Sequence, residues 1–312
     1  MTHNQNEFKE QTFTIIIPAY NSAAYIDKAL NSIYDNNYSK NLFEVLVVDD
    51  GSNDDTQLKV QTLMQKHENL FLFKKTNGNW GSVINFVKQQ KLIKNKYVVV
   101  LDSDDQLDKN FFKMVNKKIK NADVLMCGVK IQGKNFKYHC DPYWFFSRNL
   151  PNQQNRFTMS FVPFSIITKT DIFMQTIPLT ENVSFQDTLL FYNILKIAKT
   201  VRWTSASAGY YWRSRPGNTM TSSWSEKRFH DETQLHQDLQ KIDLAHHAIW
   251  RFLLNGYKQK AIEKQYKLEL SKKPDAKCLP FWLRPIFWIM YLFYLKKLIK
   301  YVPKENQQTN SN

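Results

Sequence analysis

Cysteine is scarce in this sequence: Cys127, Cys140 and Cys278 are the three in 312 residues, far apart and without paired spacing. That excludes a disulfide framework and a cysteine-based zinc site, and it fits a reducing compartment. Also missing is a glycine-rich G-x-G-x-x-G turn, through which a pyrophosphate approaches the backbone. The first strand-to-helix turn is PAYNS instead, which argues against a dinucleotide-dependent dehydrogenase. The opening stretch MTHNQNEFKEQ has no apolar core of the signal-peptide kind, so a cytoplasmic location is expected. Acidic residues are few, 28 Asp and Glu against 43 Lys and Arg, for a net charge of +15. An unbroken apolar run, Ile286–Leu295, has only 10 residues. A membrane-crossing helix needs about 20.

What is present is patterned. Apolar strands without polar alternation (FTIII, EVLVVDD, NLFLF, YVVVLD, DVLMCGV) are separated by amphipathic helical stretches. In the first of these, Ile26, Ala29, Leu30 and Ile33 recur at helical spacing, with Asn21 or Ser22 as the expected cap. Alternation of this kind implies an α/β domain whose mostly parallel sheet is covered by helices on both faces. Ligands of such sheets bind at the carboxyl ends of the strands. Polar clusters sit at those ends here: PAYNS, DDGSNDD, KKTNGNWGS and DSDDQLD.

Each cluster has its chemistry. Pro18, Ala19 and Tyr20 are placed to wall a base or ribose. Asp50, at the end of the second strand, can accept the N3–H of a uracil or a ribose hydroxyl. Ser52 and Asp55 have the spacing of a helix capping box, which makes Asp54 and Asp55 structural. Asn77, Gly78 and Gly81 precede a helix whose N-terminus favours phosphate. The stretch LDSDD is not a calcium loop, because Leu107 and Lys113 stand where Gly and Glu would be required. Asp102-Ser103-Asp104 offers hard oxygens suited to Mg²⁺ or Mn²⁺ shared with substrate phosphates. Asp108 is expected to cap the next helix. Arg213 and Arg215, before a Pro-Gly turn, can neutralise diphosphate charge as a bond breaks.

The series TIIIPAYN, VLVVDDGSNDDT, GNWGSVIN and VVVLDSDDQL resembles the nucleotide-sugar half of family 2 glycosyltransferases. The resemblance continues more loosely through ENVSFQDTLLF and YYWRSRPGNTMTS, covering roughly residues 12 to 225. It implies the GT-A fold, transfer from a nucleotide sugar with inversion, and roles by position. Asp50 would bind the base, Asp102 the ribose or metal, Asp104 the metal, and Asp187 would be the catalytic base, with Glu181 in reserve. Gln186 departs from the pattern, since the family carries Glu-Asp where this chain has Gln186-Asp187. As a structural alternative, Asp187 caps the helix TLLFYNILKIAK. A helix N-terminus also favours an ionised carboxylate, so the two roles are compatible. A nucleotidyltransferase and a non-catalytic nucleotide-sugar-binding member are the rival readings.

The charge is concentrated near the end. Arg251 to Lys304 hold 13 Lys or Arg against Glu263, Glu269 and Asp275, an excess of +10. Such a segment favours an anionic partner. Aromatic residues beside lysines in LPFWLRPIFWIMYLFYLKKLIKYVPK suit an anionic membrane surface rather than nucleic acid. The expected organisation is a catalytic domain over 1–225, a helical, basic membrane-associating region over 226–304, and a polar tail over 305–312. The acceptor implied is a lipid-linked or polymeric saccharide on the inner face of the cell membrane, in cell-envelope or exopolysaccharide synthesis.

Overall fold

A computed structural model describes residues 10–132, 137–140, 162–212 and 226–242, together with Pro285. The chain divides into two compact units, Met1–Arg148 with Ser160–Ser222, and Asn149–Met159 with Ser223–Asn312.

The first unit opens as the sequence pattern predicts. Strand β1 (Phe13–Ala19), helix α1 (Ile26–Tyr34), β2 (Phe43–Asp49), α2 (Thr56–Met64), β3 (Leu70–Lys74), α3 (Asn79–Gln89) and β4 (Tyr97–Val100) alternate along the chain. They form the parallel order β3-β2-β1-β4. Short β5 (Gln106–Leu107), α4 (Phe111–Ile119), β6 (Val124–Gln132) and β7 (Lys137–Cys140) follow, then β8 (Ile166–Lys169), α5 (Thr170–Gln175), α6 (Gln186–Ile197) and β9 (Val201–Tyr211). Beyond β4 the sheet becomes mixed: β8 runs antiparallel to both β4 and β6, β9 parallel to β6, and β5 antiparallel to β9.

Every residue of β1 and β2 is buried, which is why both read as continuous apolar runs. Side chains alternate across the sheet. Ile15, Ile17, Val45 and Val47 join a core with Ile26, Leu30 and Ile33 of α1 and Phe111, Phe112 and Val115 of α4. On alternate positions Ile16, Leu46 and Val48 are also buried, as are Val83, Ile84 and Val87 of α3.

Three local expectations change. Strand β1 runs through Pro18 to Ala19 instead of stopping at the proline. It pairs with β4 only from Phe13 to Ile16, so the missing N–H of Pro18 removes no bond on that side. Helix α1 begins at Ile26, not at a cap on Asn21 or Ser22; the Ser22 carbonyl accepts the N–H groups of Tyr25 and Ile26 in a preceding turn. The capping box at Ser52 and Asp55 does not form, because α2 starts at Thr56 without a side-chain cap. Asp54 carries structure instead. Burial alone would raise its carboxyl, but the Thr56 hydroxyl and the N–H groups of Ala23 and Thr56 lower it below the usual range.

On the other side of the sheet, Asp123 receives Lys169 and the N–H groups of Lys199 and Thr200, tying the α6–β9 loop to the start of β6. In the second unit, helix α7 (Glu226–Lys241) buries Asp231, Leu235, Asp238 and Leu239. Lys227 pairs with Asp231 and Lys241 with Asp238. Apart from Ile242 and Pro285, the rest of the expected basic region lies outside the described residues.

Candidate functional site

The carboxyl ends of β1, β2 and β4 are stitched into one surface. The Asp50 N–H donates to the Ala19 carbonyl. The Asn21 N–H reaches the Ser52 hydroxyl, and the Asn53 N–H returns to Asn21 Oδ1. Asn21 sits at φ 46°, a left-handed conformation that asparagine tolerates. Ser22 joins its backbone N–H to Thr56 and its hydroxyl to that of Ser103, at 2.7 Å. Beside this network Pro18 and Ala19 are buried, while Tyr20 is 50% exposed.

Asp50 is only 3% exposed. Its Oδ1 receives Lys75 Nζ at 2.6 Å, and the Gly78 N–H approaches both oxygens at 3.1 and 3.2 Å. Lys75 also donates to the Ser82 hydroxyl, and Asn77 Nδ2 donates to the Asp50 carbonyl. The loop before α3 is therefore wrapped around this carboxylate. Lysine is a reasonable partner, since an isolated buried charge would cost several kcal/mol. The neighbouring Asp49 has a structural role: it accepts from Gln57 Nε2 at 2.7 Å and from the Ser52 N–H.

At the end of β4 the acids come together. One oxygen each from Asp102, Asp104 and Asp105 lies within 4.8 Å of the others. Asp102 and Asp104 are half-buried and Asp105 is buried. The turn is closed by the Asp105 N–H to the Asp102 carbonyl. Asp102 Oδ1 accepts the Trp80 indole N–H at 2.9 Å, and Asp105 Oδ1 accepts the Trp212 backbone N–H. Asp108 stands apart from this group. It pairs with Lys130 at 2.8 Å and accepts the Asn110 N–H just before α4, whose cap position is Asn110 and not Asp108.

Asp187 lies in the first turn of α6, whose cap position is Phe185 in a left-handed conformation, so Asp187 is not the cap. Its neighbour Gln186 is 1% exposed, and Gln186 Oε1 accepts the Thr180 N–H at 2.9 Å. The segment from Leu179 to Gln186 packs on α3 where Gly81 has no side chain. A Cβ there would meet the Thr180 carbonyl at 3.0 Å and Gln186 Cβ at 3.2 Å. Gly81 thus admits this segment, while the backbone near Asp50 is supplied by Gly78. Asn85 completes the joint with bonds to the Leu179 backbone, and it donates to the exposed Glu181.

Helix α3 therefore touches three of the expected regions: the Asp50 loop, Asp102, and the segment that delivers Asp187. Arg213 and Arg215 lie outside the described residues. The residues that motif reasoning passed over are Lys75, Trp80 and Asn85. Lys75 and Trp80 face the carboxylates at the ends of β2 and β4, and Asn85 faces the α5–α6 segment, a signal visible in KKTNGNWGSVIN only once those partners are located.

A family model described as "Glycosyl transferase family 2" matches residues 14–175. The glycosyltransferase MG060 of Mycoplasma genitalium is 33% identical over 288 residues, spanning 91% of this chain and 97% of that protein. The poly(ribitol-phosphate) beta-N-acetylglucosaminyltransferase TarS of Staphylococcus aureus is 30% identical over 237 residues, 72% of this chain and 39% of TarS. The crystal structure of TarS residues 1–349 with UDP matches with a TM-score of 0.66 at 22% identity, covering 93% of this chain and 89% of that one. A mannosyltransferase of Pyrobaculum calidifontis, solved with GDP-Man and Mn²⁺, matches with a TM-score of 0.52 at 16% identity, covering 93% and 86%. At these identities the solved structures establish the fold, a Rossmann-like GT-A sheet.

Proposed function

This chain is a family 2 glycosyltransferase, and we propose that it transfers a sugar from a UDP-sugar to a hydroxyl of a lipid-linked or polymeric saccharide, with inversion. The observation that carries this reading is the convergence on α3. The first turn of α3, with the Gly78 cap before it, contacts Asp50, Asp102 and the segment bearing Asp187. The UDP-bound TarS structure and the polymeric acceptor in the TarS name support the choice of donor and acceptor class.

The three clustered carboxylates are hard donors close enough to share one small divalent cation, which fits Mg²⁺ or Mn²⁺. Asp102 and Asp104 would hold it, with Asp105 behind them. Bound there, the cation would supply Lewis-acid stabilisation of the departing diphosphate. The remaining work falls to the chain's own groups. Tyr20, Pro18 and Ala19 wall the nucleoside, with Asn77 shaping the opposite loop; Gly81, expected there from the sequence, faces the 179–186 segment instead. Asp50 accepts the base N–H while Lys75 balances its charge. Arg213 and Arg215 meet the diphosphate. Asp187 takes the proton of the acceptor hydroxyl as that oxygen attacks the anomeric carbon opposite the leaving group, which inverts the centre.

The basic, aromatic composition of segment 279–304 supports a location at the inner face of the cell membrane, against an anionic lipid surface. Among the described residues no helix is long and apolar enough to cross a membrane. The proposal needs only interfacial binding, in which rings lie at headgroup depth and lysines meet anionic lipid. A panel of UDP- and other nucleotide sugars with Mn²⁺ or Mg²⁺, read as nucleoside diphosphate release, tests the reading. Release from a UDP-sugar that depends on the cation supports it. Binding without any release, from any donor and with either metal, overturns it in favour of a non-catalytic member.

A further inference from the structure

Trp80 is a residue for which the reaction chemistry outlined above has no use, yet it makes a specific bond in the site. Its indole N–H donates to Asp102 Oδ1 at 2.9 Å, linking the first turn of α3 to the end of β4. The turn that presents it is tightly specified. Asn79, immediately before, sits at φ 66°, a conformation costing of order 1 kcal/mol outside glycine. The Asn79 carbonyl is held by the Ser82 hydroxyl at 2.7 Å, and that hydroxyl accepts Lys75, the partner of Asp50. A continuous chain of bonds therefore runs from Asp50 through Lys75, Ser82 and the Asn79–Trp80 turn to Asp102.

The type of donor matters. Asp50, Asp108 and Asp123 each meet a lysine ammonium at 2.6 to 2.9 Å. Asp102 is held from α3 by an indole, which donates one hydrogen bond, carries no charge and cannot ligate a metal. A lysine in that position would orient the carboxylate but cancel its charge. An indole fixes the carboxylate plane without bringing a charge of its own. The ring is rigid about two torsions, so little entropy is lost in holding the group still.

We propose that Trp80 is a positioning residue for nucleotide binding: it orients Asp102 with a neutral donor and couples that carboxylate to the Asp50 subsite through the α3 turn. This rests on the reading that the site takes a nucleoside diphosphate sugar.

The test is a double-mutant cycle on the full chain, with UDP and Mn²⁺ as probes and isothermal titration as the readout. Trp80→Phe keeps an aromatic ring and removes the N–H. One charge-assisted bond is worth enough to weaken UDP binding about tenfold. Asp102→Ala weakens it at least as much. In the double variant the Trp80→Phe loss disappears, because the bond has no partner left to act on. An unchanged UDP affinity in Trp80→Phe overturns the inference. So do additive losses in the double variant, which would mean that Trp80 acts through packing alone. Failure of the unsubstituted chain to bind UDP is a different result: it overturns the nucleotide-sugar reading itself, and the role of Trp80 with it.

Discussion

Gly81→Ala sets two effects of opposite sign against each other. Gly81 is the third residue of α3, and replacing a helical glycine by alanine ordinarily stabilises by about 1 kcal/mol through helix propensity. Here the new methyl would sit 3.0 Å from the Thr180 carbonyl, 3.1 Å from Leu179 Cβ and 3.2 Å from Gln186 Cβ. All three of these atoms belong to the backbone or are bonded directly to it, so the relief must come from moving the segment. Overpacking a fitted contact costs about 1–3 kcal/mol. The expected net result is a destabilisation of about 1 kcal/mol, measured by urea unfolding with an unchanged slope. Because the segment leads directly into Asp187, a displacement of a few tenths of an ångström should also lower transfer, by about tenfold, given that about 1 Å costs on the order of a hundredfold. UDP affinity, set on the other side of α3, should stay within twofold. A variant about 1 kcal/mol more stable than the parent, with undiminished transfer, would refute the claim that Gly81 seats the Asp187 segment.

Three further outcomes are expected, two from the structure and one from the sequence of the basic segment. Burial works against the Asp123 carboxylate, but Lys169 and the N–H groups of Thr200 and Lys199 hold its pKa at about 2 against an ordinary 3.8. Its contribution, of order 2 kcal/mol, is therefore full above pH 3.8 and lost as pH falls toward 2. Asp123→Asn should flatten the acid limb of the stability curve by that amount, and a superimposable limb would contradict the pairing. Lys75→Met leaves Asp50 buried without its ammonium and should cost up to about 3 kcal/mol in chemical denaturation; a cost below 0.5 kcal/mol, within the range of surface changes, would remove Lys75 from the node. Finally, the full chain should sediment with anionic vesicles at moderate salt, whereas a chain ending at Lys277 stays in solution with UDP binding intact; equal partitioning discards the membrane reading.

How much was legible in the sequence depended on burial. Strands β1, β2 and β4 are covered on both faces, so their apolar runs are continuous and their ends visible. Strand β9 is not. Its burial is uneven, its middle is Thr-Ser-Ala-Ser-Ala-Gly, and two-residue β5 pairs with it against Gly209, where a Cβ would collide with the Gln106 carbonyl at 2.1 Å. No periodicity announces such a strand. The clustering of Asp102 and Asp104 after β4 is legible because carboxylates at a buried strand end stand out. The Ser52 capping box was misread for a tertiary reason: Ser52 and Asp54 accept the N–H groups of Asn21 and Ala23, thirty-one residues away. The same kind of partner hid Trp80, since an indole beside a glycine looks like core until Asp102 is placed against it.

Binding and chemistry should separate at two carboxylates, and one paired measurement tests this: UDP affinity with Mn²⁺, and UDP release from the best donor, in Asp104→Ala and Asp187→Asn. The account predicts that Asp104→Ala loses cation-dependent UDP binding and with it transfer. Asp187→Asn should keep UDP affinity within twofold and lose most of the transfer rate, because only the proton acceptor is gone. Near-normal transfer by Asp187→Asn, or unchanged Mn²⁺-dependent UDP binding by Asp104→Ala, would contradict it.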